Sequence, residues 1–226
     1  MGINDFLNNT KEYEELKRKL TKEDMIMPEI KKHEPIAEPI TMRIVTAPDE
    51  KTWMDVKRAA FRTMDKDTET PPTLEWKKRI IRAQHSPIRM LTFLIEIKNL
   101  PSWISVHLVR HVHAQPFVST QRNDRCDRAD GYDRRKAPQD TPVSMMWYFN
   151  VEELITISHK RYCMLASSET RAVVQQMCRM IEKEYPEYRG VFEPLCSYRN
   201  GLCDEFHPCE YYVKHGHGFY PKKEEE

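Results

Sequence analysis

Three arginines in this chain stand where a cation is hard to hold without an anion beside it. Arg110 follows Trp103 and Val106 at helical spacing, and Arg122 ends the polar run Ser119-Thr120-Gln121-Arg122. Arg161 shares a helical face with Leu154, Ile157, Ser158 and Leu165 rather than with Glu152 and Glu153. A guanidinium cannot shed its charge and is costly to bury unpaired. An arginine that continues an apolar stripe therefore predicts an anion opposite it, either a protein carboxylate or a bound phosphate. Its planar fork pairs with phosphate and carbonyl oxygens alike. His111, next to Arg110, suits a ligand contact or a satisfied structural place at a helix end. The hydroxyls of Ser119 and Thr120 can bond a phosphate or simply pack within a strand-like run, and neither has an assigned base that would make it a nucleophile.

The elements that must position these residues can be read from periodicity. Met90 to Ile97 alternates as a strand, with Leu91, Phe93, Ile95 and Ile97 on one face and Asn99 to Pro101 ending it. Pro101 then fits the first turn of a helix on which Trp103, Val106 and Arg110 share a side. Met42 to Thr46 predicts an earlier strand. Thr52 to Thr63 and Thr73 to Gln84 predict helices separated by Pro71-Pro72. Asn150 predicts a helix cap with Glu153 reciprocating as in a capping box, and Ser167 or Ser168 caps a further helix whose Val173, Val174, Met177 and Ile181 form a core stripe before Pro186. Arg125 to Asp140 is dense in charge and turn formers and predicts a surface loop after the polar run.

Composition narrows the partners. Of 226 residues, 36 are basic and 35 acidic, so nothing global points to nucleic acid or an anionic membrane. In the 122 to 136 stretch the aspartates Asp124, Asp127, Asp130 and Asp133 cancel the interleaved arginines, which argues against a phosphate-tracking stripe. No apolar run approaches the roughly 18 residues that span a bilayer, and no apolar leader opens the chain, so the expected location is the cytoplasm. Six cysteines do not form a secreted disulfide pattern. Cys196, Cys203, His207 and Cys209 are spaced too widely for common zinc sites, with His215 and His217 as further candidates, so no metal is expected. No P-loop and no GxGxxG run is present. The expected organisation is an N-terminal helix and extended arm over 1–40, a catalytic domain over 41–195 and a Cys/His-containing extension over 196–226.

The stretch from His85 to Asp124 resembles the core of the flavin-dependent thymidylate synthases, the ThyX family. That signature is Arg-His-Arg, seven residues, Ser, then Arg two positions later. Here it reads Arg110, His111, Val112, seven residues, Thr120, Gln121, Arg122. Asn150-Val151-Glu152-Glu153-Leu154, leading to Arg161, resembles the family's late helix, which begins near an asparagine and carries a nucleotide-binding arginine eleven residues on. The resemblance implies an α/β fold, a mixed or antiparallel sheet flanked by helices, assembled as a homotetramer. It also implies reductive methylation of deoxyuridine monophosphate (dUMP) at C5 with FAD, methylenetetrahydrofolate and NADPH.

By the same resemblance Arg110, His111 and Asn150 would contact flavin. Ser119, Thr120, Gln121 and Arg122 would hold the nucleotide, with His107 beside it. Arg161 would face the uracil ring, and Arg134 or Arg135 would close on the nucleotide. The chain departs from the family at Val112, which replaces the second arginine, at Val118 in place of an acidic residue, and at His107 in place of a glutamine. Arg89-Met90 replaces a glutamate-histidine pair. These changes motivate two alternatives: a ThyX-like enzyme with another outcome, such as C5 hydroxymethylation, or a non-catalytic flavin- or nucleotide-binding relative.

Overall fold

The computed structural model describes residues 38–125 and 131–209. These belong to the second of two units into which the chain divides, Met1–Ala37 and Glu38–Glu226. The N-terminal helix, nearly all of the arm, and His215 and His217 lie outside the described residues.

Among the described residues the centre is a four-stranded antiparallel sheet in the order β1-β2-β4-β3. β1 is Thr41–Thr46, β2 Thr92–Pro101, β3 Gln115–Val118 and β4 Pro142–Asn150. The alternation seen in the sequence becomes two faces. Phe93, Ile95 and Ile97 on β2 and Val143, Met145, Trp147 and Phe149 on β4 are buried, while Leu94, Glu96, Met146 and Tyr148 face outward. The register pairs Ile95 with Trp147 and Leu94 with Tyr148, so each strand contributes to the same face at the same level. This is the antiparallel version of the expected α/β fold.

Helices cover the buried face. α1 is Glu50–Arg62, capped by Asp49, whose carboxylate accepts the Thr52 N–H at 2.7 Å; α2 is Leu74–Arg82, capped by Thr73. α3 is Ser102–Leu108, α4 Val151–Arg161, α5 Ser168–Glu184 and α6 Leu195–Tyr198. As expected, Asn150 and Ser167 are caps, and Val173, Val174, Met177 and Ile181 are buried. Among the described residues no helix is long and apolar enough to cross a membrane.

Three local expectations are corrected. Ser86–Met90 is a 3₁₀ turn, so the strand begins after Met90. The strand also runs through Asn99, which adopts φ +58° where the register slips between Ile97 and Leu100; an irregularity bends the strand without ending it. Pro101 is the N-cap of α3, and the helix stops at Leu108, before Arg110. Its buried side is Ile104, Ser105 and Leu108, continued by His111, whereas Val106 is 49% exposed and Arg110 lies on the surface. The apolar stripe therefore runs to the histidine and not to the arginine. Leu108→Ala should lower stability by about 2–5 kcal/mol, while Val106→Ala should stay within about 0.5 kcal/mol, measured by urea unfolding.

Candidate active site

The turn after α3 and the last turn of α4 meet at His111 and Arg161. α4 starts where β4 ends. The Asn150 side-chain oxygen accepts the Glu153 N–H at 2.9 Å, and the Val151 N–H bonds the Leu91 carbonyl at 2.9 Å, so both neighbouring strands set the direction of the helix. Ile157 and Ser158 are buried, and Arg161, one turn on, is half-buried. Its Nε donates to His111 Nε2 at 2.9 Å, and its Nη2 donates to the His107 carbonyl.

Those bonds determine the state of the histidine. An imidazole nitrogen that accepts from a guanidinium carries no proton, so the His111 proton belongs on Nδ1. Burial and the adjacent Arg161 charge push the His111 pKa down to about 4. Nδ1 stands 3.8 Å from the Glu153 carboxylate, which is longer than a hydrogen bond, and with His111 neutral the contact is not an ion pair. Glu153 is 5% exposed. Burial raises its pKa, and interactions with His113 oppose the rise. His107 completes the group. Its Nδ1 lies 3.0 Å from the Thr170 hydroxyl, its ring meets Trp103 edge-on, and burial, Arg161 and Arg110 lower its pKa.

Arg161 thus has a fixed orientation and, among the described residues, no neutralising partner. Burial and the positive charge of Arg110 both lower its pKa, and among the described residues no carboxylate lies within ion-pair distance of either arginine. Of the two anions expected opposite such a residue, no protein carboxylate is found among the described residues.

Elsewhere the candidate residues are held differently. The Ser119 hydroxyl accepts the Ser144 N–H at 2.9 Å and extends the β3–β4 ladder. Thr120 accepts the Arg122 N–H at 3.2 Å, Gln121 accepts from the Tyr132 hydroxyl at 3.0 Å, and Arg122 forks onto Asp124. Arg135 pairs with Asp133, and Arg134 acts through space on Asp124 and Asp133. Val112 is 83% exposed, and Val118 packs against the core. Arg89 is taken up by Glu152 through two hydrogen bonds, at 2.7 and 3.0 Å.

Glu153 was missed as a site residue because it was read as half of a capping box. Its carboxylate instead stands 3.8 Å from the His111 ring. Neither Glu153 nor Thr170 carried a signal in the sequence, since only tertiary packing brings them to His111 and His107.

A family model described as Thymidylate synthase complementing protein matches residues 133–187, the stretch that contains Asn150, Glu153, Arg161 and Thr170. The structure of ThyX from Helicobacter pylori with FAD and dUMP aligns at a TM-score of 0.52 with 12% identity, covering 68% of this chain and 97% of that one. Residues 133–187 thus resemble the ThyX family, and the chain shares the fold of the ThyX structures. A second Helicobacter pylori ThyX structure, complexed with FAD and dUMP, gives 0.51 and 12%, covering 67% of this chain and 97% of that one. No curated protein sequence matches it. The ThyX family match includes α4 and α5 but leaves out Arg110 to Arg122, the segment in which two signature residues differ.

Stability should follow the protonation of His111. Its folded pKa lies below the ordinary value, so the unfolded chain binds more protons between about pH 6.5 and about 4, and stability falls as pH drops through that window. Glu153, raised by burial, contributes with the opposite sign. In urea unfolding, His111→Gln should therefore lose less stability than the parent chain between pH 7 and pH 5.

Proposed function

We propose that this chain is a flavin-dependent, thymidylate-synthase-like enzyme that transfers a one-carbon unit from methylenetetrahydrofolate to C5 of dUMP, with FAD and NADPH supplying the reduction. The observation that carries this reading is Arg161, oriented by His111 and the His107 carbonyl, close to Arg110 and without a carboxylate partner among the described residues. An anionic nucleotide suits that arrangement. The dUMP and FAD named for the Helicobacter pylori relatives give the chemical class.

The chain's own residues contribute position and charge. Arg161 presents a fixed cation to the pyrimidine, where negative charge develops as C5 becomes nucleophilic, and a donor already oriented by the protein needs no rearrangement at that moment. His111 stays neutral and keeps its lone pair on Arg161, so it neither competes for the anion nor releases the guanidinium. Arg110, exposed beside it, and Asn150 at the head of α4 are the residues assigned to the flavin's polar groups. Ser119, Thr120, Gln121 and Arg122 are assigned to the nucleotide's phosphate and sugar, with Arg122 exchanging Asp124 for phosphate. FAD, when bound, carries the reducing equivalents. The outward sheet face with Met146, Tyr148 and the exposed Phe117 on β3 supports assembly into a homotetramer. The expected setting is the cytoplasm.

Anaerobic incubation with dUMP, FAD, NADPH and methylenetetrahydrofolate should give a nucleotide heavier by one methyl group by mass spectrometry. Arg161→Ala should reduce its formation by at least about a hundredfold, since removing one oriented transition-state donor has effects of that size. A hydroxymethylated product would assign the scaffold a different outcome. An unchanged nucleotide with bound flavin would indicate a binding role, and full turnover in Arg161→Ala would overturn the reading.

A further inference from the structure

Just beyond Arg161 the chain gathers a second set of reactive side chains. Cys163, in the bend after α4, Cys196 in α6, and Cys203 and Cys209 on the irregular segment that follows all line one cavity of about 350 Å³. The turn after α6 brings the later cysteines back. Asn200 and Gly201 adopt φ +56° and +93°, and the Gly201 N–H donates to the Cys196 carbonyl at 2.7 Å, folding the chain onto its own helix. All four are free thiols and partly buried.

A second observation comes from His159. Its Nε2 is buried without a hydrogen-bond partner, and its ring, which lines the same cavity, lies 4.8 Å from that of Tyr198. An orphaned ring nitrogen beside four thiols needs an acceptor when it carries the ring proton, and a metal-bound thiolate is one. Lys160 and Arg199 also line the cavity, with Arg199 paired to Asp204, so Lys160 is the cation placed to offset part of the double negative charge of a divalent ion held by four thiolates. Cys178 provides the contrast. It is fully buried in the core, its thiol pushed up to about 12, and it faces no other cysteine.

We propose that Cys163, Cys196, Cys203 and Cys209 bind a structural zinc ion, with His159 donating its N–H to one of the sulfurs. Each thiol gives its proton to solvent as its sulfur joins the ion, and nothing is oxidised or reduced. Among the described residues no three His, Cys, Asp or Glu side chains already form a coordination group, so the ion itself draws the sulfurs together. Cys163 lies just past α4 and Cys196 within α6, and Cys203 and Cys209 lie on chain held in neither helix nor strand. The wide spacings in the C-terminal sequence argued against zinc only because Cys163, from a distant part of the chain, was not counted. The ion would fasten the segment after α6 to the end of α4, two residues from Arg161.

The test is metal analysis of the full-length protein, a readout independent of turnover, so this proposal can fail while the nucleotide reading stands. The purified protein should hold about one zinc per chain, and cobalt in its place should show the near-ultraviolet sulfur-to-cobalt band and visible bands of a tetrahedral thiolate site. Cys203→Ser should lose the ion, Cys203→His should keep it, and His159→Ala should bind it about ten- to a hundredfold more weakly. Retention in Cys203→His separates loss of a ligand from loss of the fold. Three results would each overturn the proposal: no stoichiometric zinc and no cobalt–sulfur band after reconstitution, a Cys196–Cys203 disulfide in the purified protein, or iron with labile sulfide in place of zinc.

Discussion

The hydrogen bond from Arg161 Nε to His111 Nε2 is the contact on which the site depends. It runs from a permanent cation to a neutral imidazole and so requires His111 to stay unprotonated, a condition met by burial and by the cation itself. A carboxylate in the same place would also orient the arginine, but it would satisfy its charge. A neutral acceptor fixes direction and leaves the charge available. Glu153, which could have neutralised the pair, stands 3.8 Å from the imidazole, beyond hydrogen-bond reach.

The fold provides this contact by joining two elements at the same pair of strands. β2 runs directly into α3, and β4 runs directly into α4, so the helix ends carrying His111 and Arg161 inherit the β2–β4 register. The buried strand faces beneath them, Phe93 to Ile97 and Val143 to Phe149, leave little freedom for either helix to shift. Trp147, whose ring lies 6.2 Å from that of His111, links core packing to the site.

Much of this was legible in the sequence. Alternation marked the two central strands, the Asn150 and Ser167 caps marked α4 and α5, and an arginine on the apolar stripe of α4 marked Arg161. Arg110 was misread because a helix phase extrapolated beyond Leu108 cannot see where the helix ends. The strand past Asn99 was cut short because an asparagine that usually breaks a strand can also sit in a bulge within one. Glu153 and Thr170 were missed because the residues they meet, His111 and His107, are distant in sequence and become neighbours only through tertiary packing. The comparisons divide along the same line. The family model matches over the caps and stripes of α4 and α5, where structure constrains sequence most, and leaves out the altered signature from Arg110 to Arg122.

The most direct test of the central claim is nitrogen-15 NMR of the His111 ring and the Arg161 Nε, recorded at pH 6 with and without dUMP. The account predicts a neutral His111 carrying its proton on Nδ1, a slowly exchanging Arg161 Nε–H, and a shift of that signal when dUMP is added. A His111 imidazolium at that pH, or an Arg161 signal unmoved by saturating dUMP, would contradict it.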